Sequence, residues 1–119
     1  MALHNELGKK GEELAAAYLR QKGWYIRDRN WRFRHLELDI VATDEWGTRL
    51  LFVEVKTRKA HALTDAAAAV DDEKIRNLRK AADAYVKQSG SNAELRFDII
   101  TVDADDNGHM TVNHIPNAF

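Results

Sequence analysis

The 119-residue chain contains no cysteine, which excludes a disulfide framework and any thiolate metal site. One proline and six glycines, with no polar low-complexity tract, argue against a long disordered stretch. Long apolar runs are also missing: none approaches the roughly 18 residues of a membrane span. The opening MALHNELGKKGEEL has no apolar stretch behind its basic residues, so no secretory signal is read there. These absences predict a soluble, cytoplasmic protein. With 45% hydrophobic residues, the length suits one compact domain over 1–119 and is too short for two.

A strong excess of one charge is absent as well. The net charge is −1, so the whole molecule is no electrostatic magnet for nucleic acid. Its charges are unevenly spread, however. Arg20, Lys22, Arg27, Arg29, Arg32 and Arg34 are opposed locally by Asp28, while acids gather at Asp71-Asp72-Glu73 and Asp103-Ala104-Asp105-Asp106. Such asymmetry gives a neutral protein a basic face.

Helix signals run from about Asn5, a good N-cap, to Gln21, with Gly23 as the stop. One stripe holds Gly8, Gly11, Glu12, Ala15 and Leu19; small residues there predict a close approach to a neighbour, with Glu12 turned into the contact and Glu13 solvated. Strands are predicted at Trp24–Asn30, Leu36–Thr43, Leu50–Thr57, Leu95–Val102 and Met110–Ile115. A loop or short helix from Ala62 to Val70 precedes a second helix from about Asp71 to Gln88, where Ile75, Leu78, Ala82, Tyr85 and Val86 recur at helical spacing. The order is α-β-β-β-α-β-β: an α/β fold with a mixed central sheet flanked by helices.

The third strand breaks its own pattern. Leu50-Leu51-Phe52-Val53 is apolar on both faces, as in a fully buried strand, yet Glu54 and Lys56 follow in the same run. Period two aligns Leu50, Phe52, Glu54 and Lys56 on one face, and aligns Glu37, Asp39 and Val41 on the second strand. Hairpin pairing then brings Asp39 alongside Glu54. A Glu-x-Lys on a strand is ordinarily a solvated ion pair. Here it sits in the most hydrophobic strand, with a hairpin partner carrying Asp39 and with Glu12 available from the first helix. Burying such charge without a partner costs several kcal/mol, so the cluster calls for a metal or an internal ion pair.

The residue types suit hard cations. Asp39, Glu54 and a backbone carbonyl such as that of Val55 are oxygen ligands appropriate to Mg²⁺ or Mn²⁺. A bound ion polarises a scissile phosphate and acidifies water. Lys56 would stabilise charge on the phosphorane or orient the attacking water; a role as base needs a lowered pKa, which the carboxylates oppose.

Asp39 followed by Glu54-Val55-Lys56 is the Asp…Glu-x-Lys signature of the PD-(D/E)XK nuclease superfamily. Gly8-Lys9-Lys10-Gly11-Glu12, Arg29-Asn30-Trp31-Arg32, Glu37-Leu38-Asp39-Ile40-Val41-Ala42, Phe52-Val53-Glu54-Val55-Lys56-Thr57-Arg58, Arg96-Phe97-Asp98-Ile99-Ile100 and His114-Ile115-Pro116-Asn117-Ala118-Phe119 extend the likeness. Together they resemble the YraN-like family of small bacterial endonuclease-like proteins over essentially the whole chain. The resemblance implies a restriction-endonuclease-like fold, related to archaeal Holliday-junction resolvases, and a metal-dependent endonuclease acting on DNA, including branched or damaged forms. On that resemblance Asp39 and Glu54 bind metal, Lys56 is catalytic, Glu12 assists from the first helix and Glu37 is a supporting carboxylate. The chain departs from the family at His35-Leu36, where Gly is common before the Glu-x-Asp segment.

Nucleic acid has several cations to meet. Arg27 to His35 interleaves arginines, among them Arg32 and Arg34, with Trp31 and Phe33; these aromatics either stack on an unpaired base or belong to the core. Arg58, Lys59 and His61 follow the third strand directly, and Lys74, near the second helix start, can reach the same cleft. The five histidines lack zinc-ligand spacing, and Gly8-x-x-Gly11 lies within a helix and is no phosphate loop. A two-fold substrate such as a four-way junction needs two active sites, hence a homodimer. Two other classes fit the same sequence: a catalytically silent nucleic-acid-binding module, and a protein-interaction partner in DNA processing.

Overall fold

The computed structural model describes residues 2–59 and 70–119, with side chains from residue 6 onward. The loop or short helix expected from Ala62, and His61, fall outside the described residues. Helix α1 (Ala2–Gln21) is followed by strands β1 (Tyr25–Phe33), β2 (Leu36–Thr43) and β3 (Arg49–Lys59), helix α2 (Asp72–Ser89), and strands β4 (Glu94–Ala104) and β5 (Met110–Ile115). The predicted order α-β-β-β-α-β-β is the observed one. The sheet runs β1-β2-β3-β4-β5; β3 and β4 are parallel and the other neighbours antiparallel. No described helix is long and apolar enough to cross a membrane.

Among the described residues, each face of the sheet carries one helix. Ala15, Ala16 and Leu19 of α1 join Ile40, Ala42, Leu51, Val53, Ile100 and Val102 in one core layer. Leu78, Ala81, Ala82 and Tyr85 of α2 join Leu38, Val41, Leu50, Phe52 and Ile99 in the other. The alternation Leu50/Phe52 against Leu51/Val53 is therefore what places β3 between both layers, and full burial of each such side chain contributes about 1.5–3 kcal/mol.

Several element ends differ from the sequence signals. Helix α1 begins at Ala2, so Asn5 is a helical residue and not its cap; Ala and Leu ahead of it propagate the helix past the capping signal. Strand β1 continues to Phe33 instead of ending at Asn30. On α1, a Cβ on Gly11 would stand 1.9 Å from Thr57 Oγ1, whereas one on Gly8 would meet nothing within 4 Å. The close approach of α1 to β3 thus depends on Gly11, and Gly8 has no part in it. Helix α2 is capped by Asp71, which accepts the Lys74 N–H at 2.9 Å, and closed by Gly90 at φ 66°.

A buried polar network ties β4 to β5 and the carboxy-terminal turn. Asp98 is 0% exposed and accepts from Arg96 at 2.9 and 2.8 Å and from the Asn117 N–H at 3.0 Å. His114 Nε2 lies 2.6 Å from the same carboxylate, and its Nδ1 lies 3.1 Å from the Tyr18 hydroxyl on α1. Burial alone would raise Asp98, but Arg96, His114 and the Asn117 amide outweigh it and bring it down to about 2.

Candidate active site at the fork between β2 and β3

The β2–β3 ladder runs from Thr43↔Leu50 to Ile40↔Val53 and stops. Beyond it the strands part. Asp39 fills the opening: its Oδ2 accepts the Val55 N–H at 2.9 Å, so a carboxylate replaces the missing strand partner of that backbone group.

The fork coincides with a reversal of facing. Trp31 and Leu38, opposite each other, lie in the α2 layer. Arg29 and Ile40 are the opposed pair two positions on; Ile40 lies in the α1 layer and Arg29 Nη1 reaches Glu13 of α1 at 2.7 Å. Period two would keep both pairs on one face. The residues between are Asn30, at φ 52°, and Asp39. The sequence expectation that Glu37, Asp39 and Val41 share a face fails for that reason, since Val41 packs in the α2 layer beside Leu38. Asp39 is left in the plane of the sheet, able to meet groups from both sides.

Glu54 meets it from the α2 side. It is 7% exposed, its Oε1 has no hydrogen-bond partner, and its Oε2 lies 3.4 Å from Lys74 Nζ. Burial first, and then the adjoining Asp39 carboxyl, push Glu54 up to about 9, with Lys74 pulling the other way. Glu12 meets Asp39 from the α1 side. Its acidity is weakened by burial and next by Asp39, opposed by Arg29 and by a hydrogen bond from Asn30; its Oε1 is also buried without a partner. A cleft of about 420 Å³ lined by Lys9, Glu12, Glu13, Arg29 and Asn30 opens beside it.

These features match the needs of a hard cation. Two buried carboxylate oxygens, Glu54 Oε1 and Glu12 Oε1, are orphaned on either side of Asp39, and each is costly unless a cation or proton answers it. No three described His, Cys, Asp or Glu side chains form a closed cage. Mg²⁺ does not require one, since it keeps several waters and takes one or two carboxylates. Asp39, Glu54 and the Val55 carbonyl fit that donor set.

The remaining residues singled out in the sequence are distributed as follows. Lys56 is exposed, two positions beyond Glu54 on β3, with no hydrogen bond or ion pair among the described residues. Lys74 stands at the site through Glu54. Glu37 is half-buried and lies 3.7 Å from Arg32, which is exposed like Arg34. Arg58 is not a free cation: its Nε is 2.6 Å from Asp103 on the parallel strand. Lys59 is exposed and lines a separate cleft with Lys10 and Asp105. Trp31 packs edge-on against Tyr85 at 5.2 Å and parallel to Phe33 at 6.3 Å, so its ring belongs to the α2 layer. Sequence reasoning assigned no role to Asn30 or Arg29 at the carboxylates; the signal available was the Arg29-Asn30-Trp31-Arg32 segment.

Comparison with known proteins shows the family. The profile of the Uncharacterised protein family UPF0102 matches residues 11–102. A UPF0102 protein of Bacteroides thetaiotaomicron is 50% identical over 119 residues, covering 100% of this chain and 96% of the relative. One from Phocaeicola vulgatus is 47% identical over the same span with the same coverage, and one from Syntrophomonas wolfei is 44% identical over 118 residues, covering 98% of this chain and 100% of the relative. The chain belongs to the UPF0102 family, the YraN-like family that its motifs resemble.

Proposed function

We propose that this protein is a cytoplasmic, metal-dependent endonuclease that hydrolyses phosphodiester bonds in DNA, branched or damaged structures included. The observation that carries the reading is Asp39 flanked by Glu54 and Glu12, each with a buried, unpartnered Oε1.

Asp39, Glu54 and the Val55 carbonyl would hold Mg²⁺ or Mn²⁺, which supplies Lewis acidity at the phosphate and lowers the pKa of water. The chain's own groups do the rest. The Val55 N–H fixes Asp39 by a 2.9 Å bond, so the carboxylate is oriented in advance. Lys56, exposed and free of partners among the described residues, would stabilise negative charge on the transferring phosphate and orient a water. Glu12 faces the same centre from α1. Arg32, Arg34 and Lys59 are exposed cations for the nucleic-acid backbone, and a homodimer would serve a two-fold junction.

The test is cleavage of labelled duplex, single-stranded, nicked, flap and four-way-junction DNA, and of RNA, with Mg²⁺ or Mn²⁺. Wild type is compared with Lys56→Ala. Activity in the wild type that disappears in the variant supports the reading; cleavage of no substrate by the wild type refutes it.

A second reading is a silent nucleic-acid-binding module, favoured by the lack of a closed cage of described ligands. It predicts salt-dependent binding that survives both Lys56→Ala and removal of the metal.

A further inference from the structure

Asn30 has no assigned role, yet it lies where two structural irregularities and two carboxylates converge. Among the described residues it is one of three non-glycine residues with positive φ, at 52°. An L-residue meets steric crowding in that conformation, with Asn among the most tolerant. Local strain of this kind persists when surrounding structure fixes it, and it clusters at functional sites. The register Arg29↔Ile40 and Trp31↔Leu38 puts Asn30 across from Asp39.

Its consequences can be followed along both strands. Asp28 bonds Tyr85 of α2 at 2.6 Å, and Arg29 bonds Glu13 of α1, as alternation requires. Trp31 should then follow Arg29 toward α1, but it packs in the α2 layer. The left-handed backbone of Asn30 therefore inverts β1, and β2 inverts with it at Asp39, because opposed residues of an antiparallel pair share a face. With Ile40 held in the α1 layer, an uninverted strand would put Asp39 on the α2 face, where it could not stand between Glu54 and Glu12. The Asn30 side chain is exposed and lines the same cleft as Glu12.

We propose that Asn30 is the positioning residue of the site: its left-handed backbone turns β1 and β2 over so that Asp39 enters the fork, and its side-chain amide holds Glu12 beside it. The assignment rests on the reading of this cluster as the active site, but its structural content can be measured without substrate or metal.

The Val55 amide is the reporter, since it donates its hydrogen bond to Asp39. Hydrogen exchange is compared in wild type, Asn30→Gly, which keeps the left-handed backbone, and Asn30→Val, whose branched Cβ opposes it. Asn30→Ala replaces the valine variant if that does not fold, and continued protection of the Ile100 and Val102 amides certifies the fold. Val55 should exchange at least tenfold faster in Asn30→Val (or Ala) and within about twofold of wild type in Asn30→Gly. The glycine variant should nevertheless shift the carboxyl ¹³C resonance of Glu12, and its cleavage rate should fall about tenfold in kcat with KM unmoved. Unchanged Val55 exchange in the valine or alanine variant, or an unmoved Glu12 resonance in the glycine variant, overturns the proposal. A wild type that cleaves nothing refutes the nuclease alone, because the exchange and resonance data still decide the role of Asn30.

Discussion

Lys74 Nζ lies 3.4 Å from Glu54 Oε2, so a cation that belongs to helix α2 stands at the carboxylate assigned to metal. The N-cap bond from Asp71 to the Lys74 N–H fixes the start of that helix, and with it the base of the lysine side chain. The ammonium and a metal ion would compete for the same carboxyl oxygens. Lys74→Ala should therefore raise the dependence of stability on metal. The expected result is a Tm increase on adding Mg²⁺ that exceeds the wild-type increase by about 3 °C, read by calorimetry. Equal increases would show that Lys74 does not compete.

Glu54→Gln should stabilise the fold while removing a proposed metal ligand. Below about pH 4 the Glu54 carboxyl is protonated in both folded and unfolded chains. Above that, the unfolded chain loses its proton while the folded one keeps it to about pH 9, so Glu54 lowers stability as pH rises through this window. Glutamine carries no such penalty. The variant should gain about 2 kcal/mol at neutral pH and nothing near pH 4, with Mn²⁺ binding lost. Urea unfolding across pH, paired with metal titration, checks both halves.

Asp98 works in the opposite sense. Its folded value is about 2 against an unfolded value of about 3.9, so its stabilising contribution is complete above about pH 4 and disappears as pH falls toward 2. Because Arg96 and His114 both face it, Asp98→Ala should cost about 3 kcal/mol at neutral pH and flatten the acid limb of the stability curve. A variant with the wild-type acid limb would show that Asp98 does not set it.

Gly11→Ala should destabilise by about 1–3 kcal/mol despite alanine's better helix propensity, because the new methyl would stand 1.9 Å from Thr57 Oγ1. Thr57→Ala removes that oxygen. In its background the Gly11→Ala cost should fall by more than half, a coupling measured by a double-mutant cycle. Gly8→Ala, with open space around it, should be neutral or slightly stabilising.

The sequence made the sheet legible wherever a strand obeyed its period. Leu36–Thr43 and Met110–Ile115 were placed to the residue, and Glu54 in an apolar run was visible as an anomaly. What it did not disclose were relations set by distant partners. The inversion at Asp39 depends on the backbone of Asn30 in another strand, and period-two reasoning within β2 cannot see it. The pairing of Arg58 with Asp103 depends on the parallel register of β3 and β4, which places together residues 45 positions apart. Gly8 and Gly11 look alike in a helical stripe; a neighbouring threonine on β3 separates them.

That parallel register also bears on how the molecule assembles. The Asp39–Val55 bond spans 16 positions within a hairpin, whereas Val53 and Asp98, 45 positions apart, must meet before β3 gains its second neighbour. Closing the longer loop is entropically costlier, and sheets built on non-local pairing fold slowly. The hairpin that carries Asp39 and Glu54 is thus the kinetically accessible part of the sheet, and docking of β4 is the slow step. In refolding experiments, truncations of buried side chains on β4 should slow the rate-limiting phase more than changes to the carboxylates themselves.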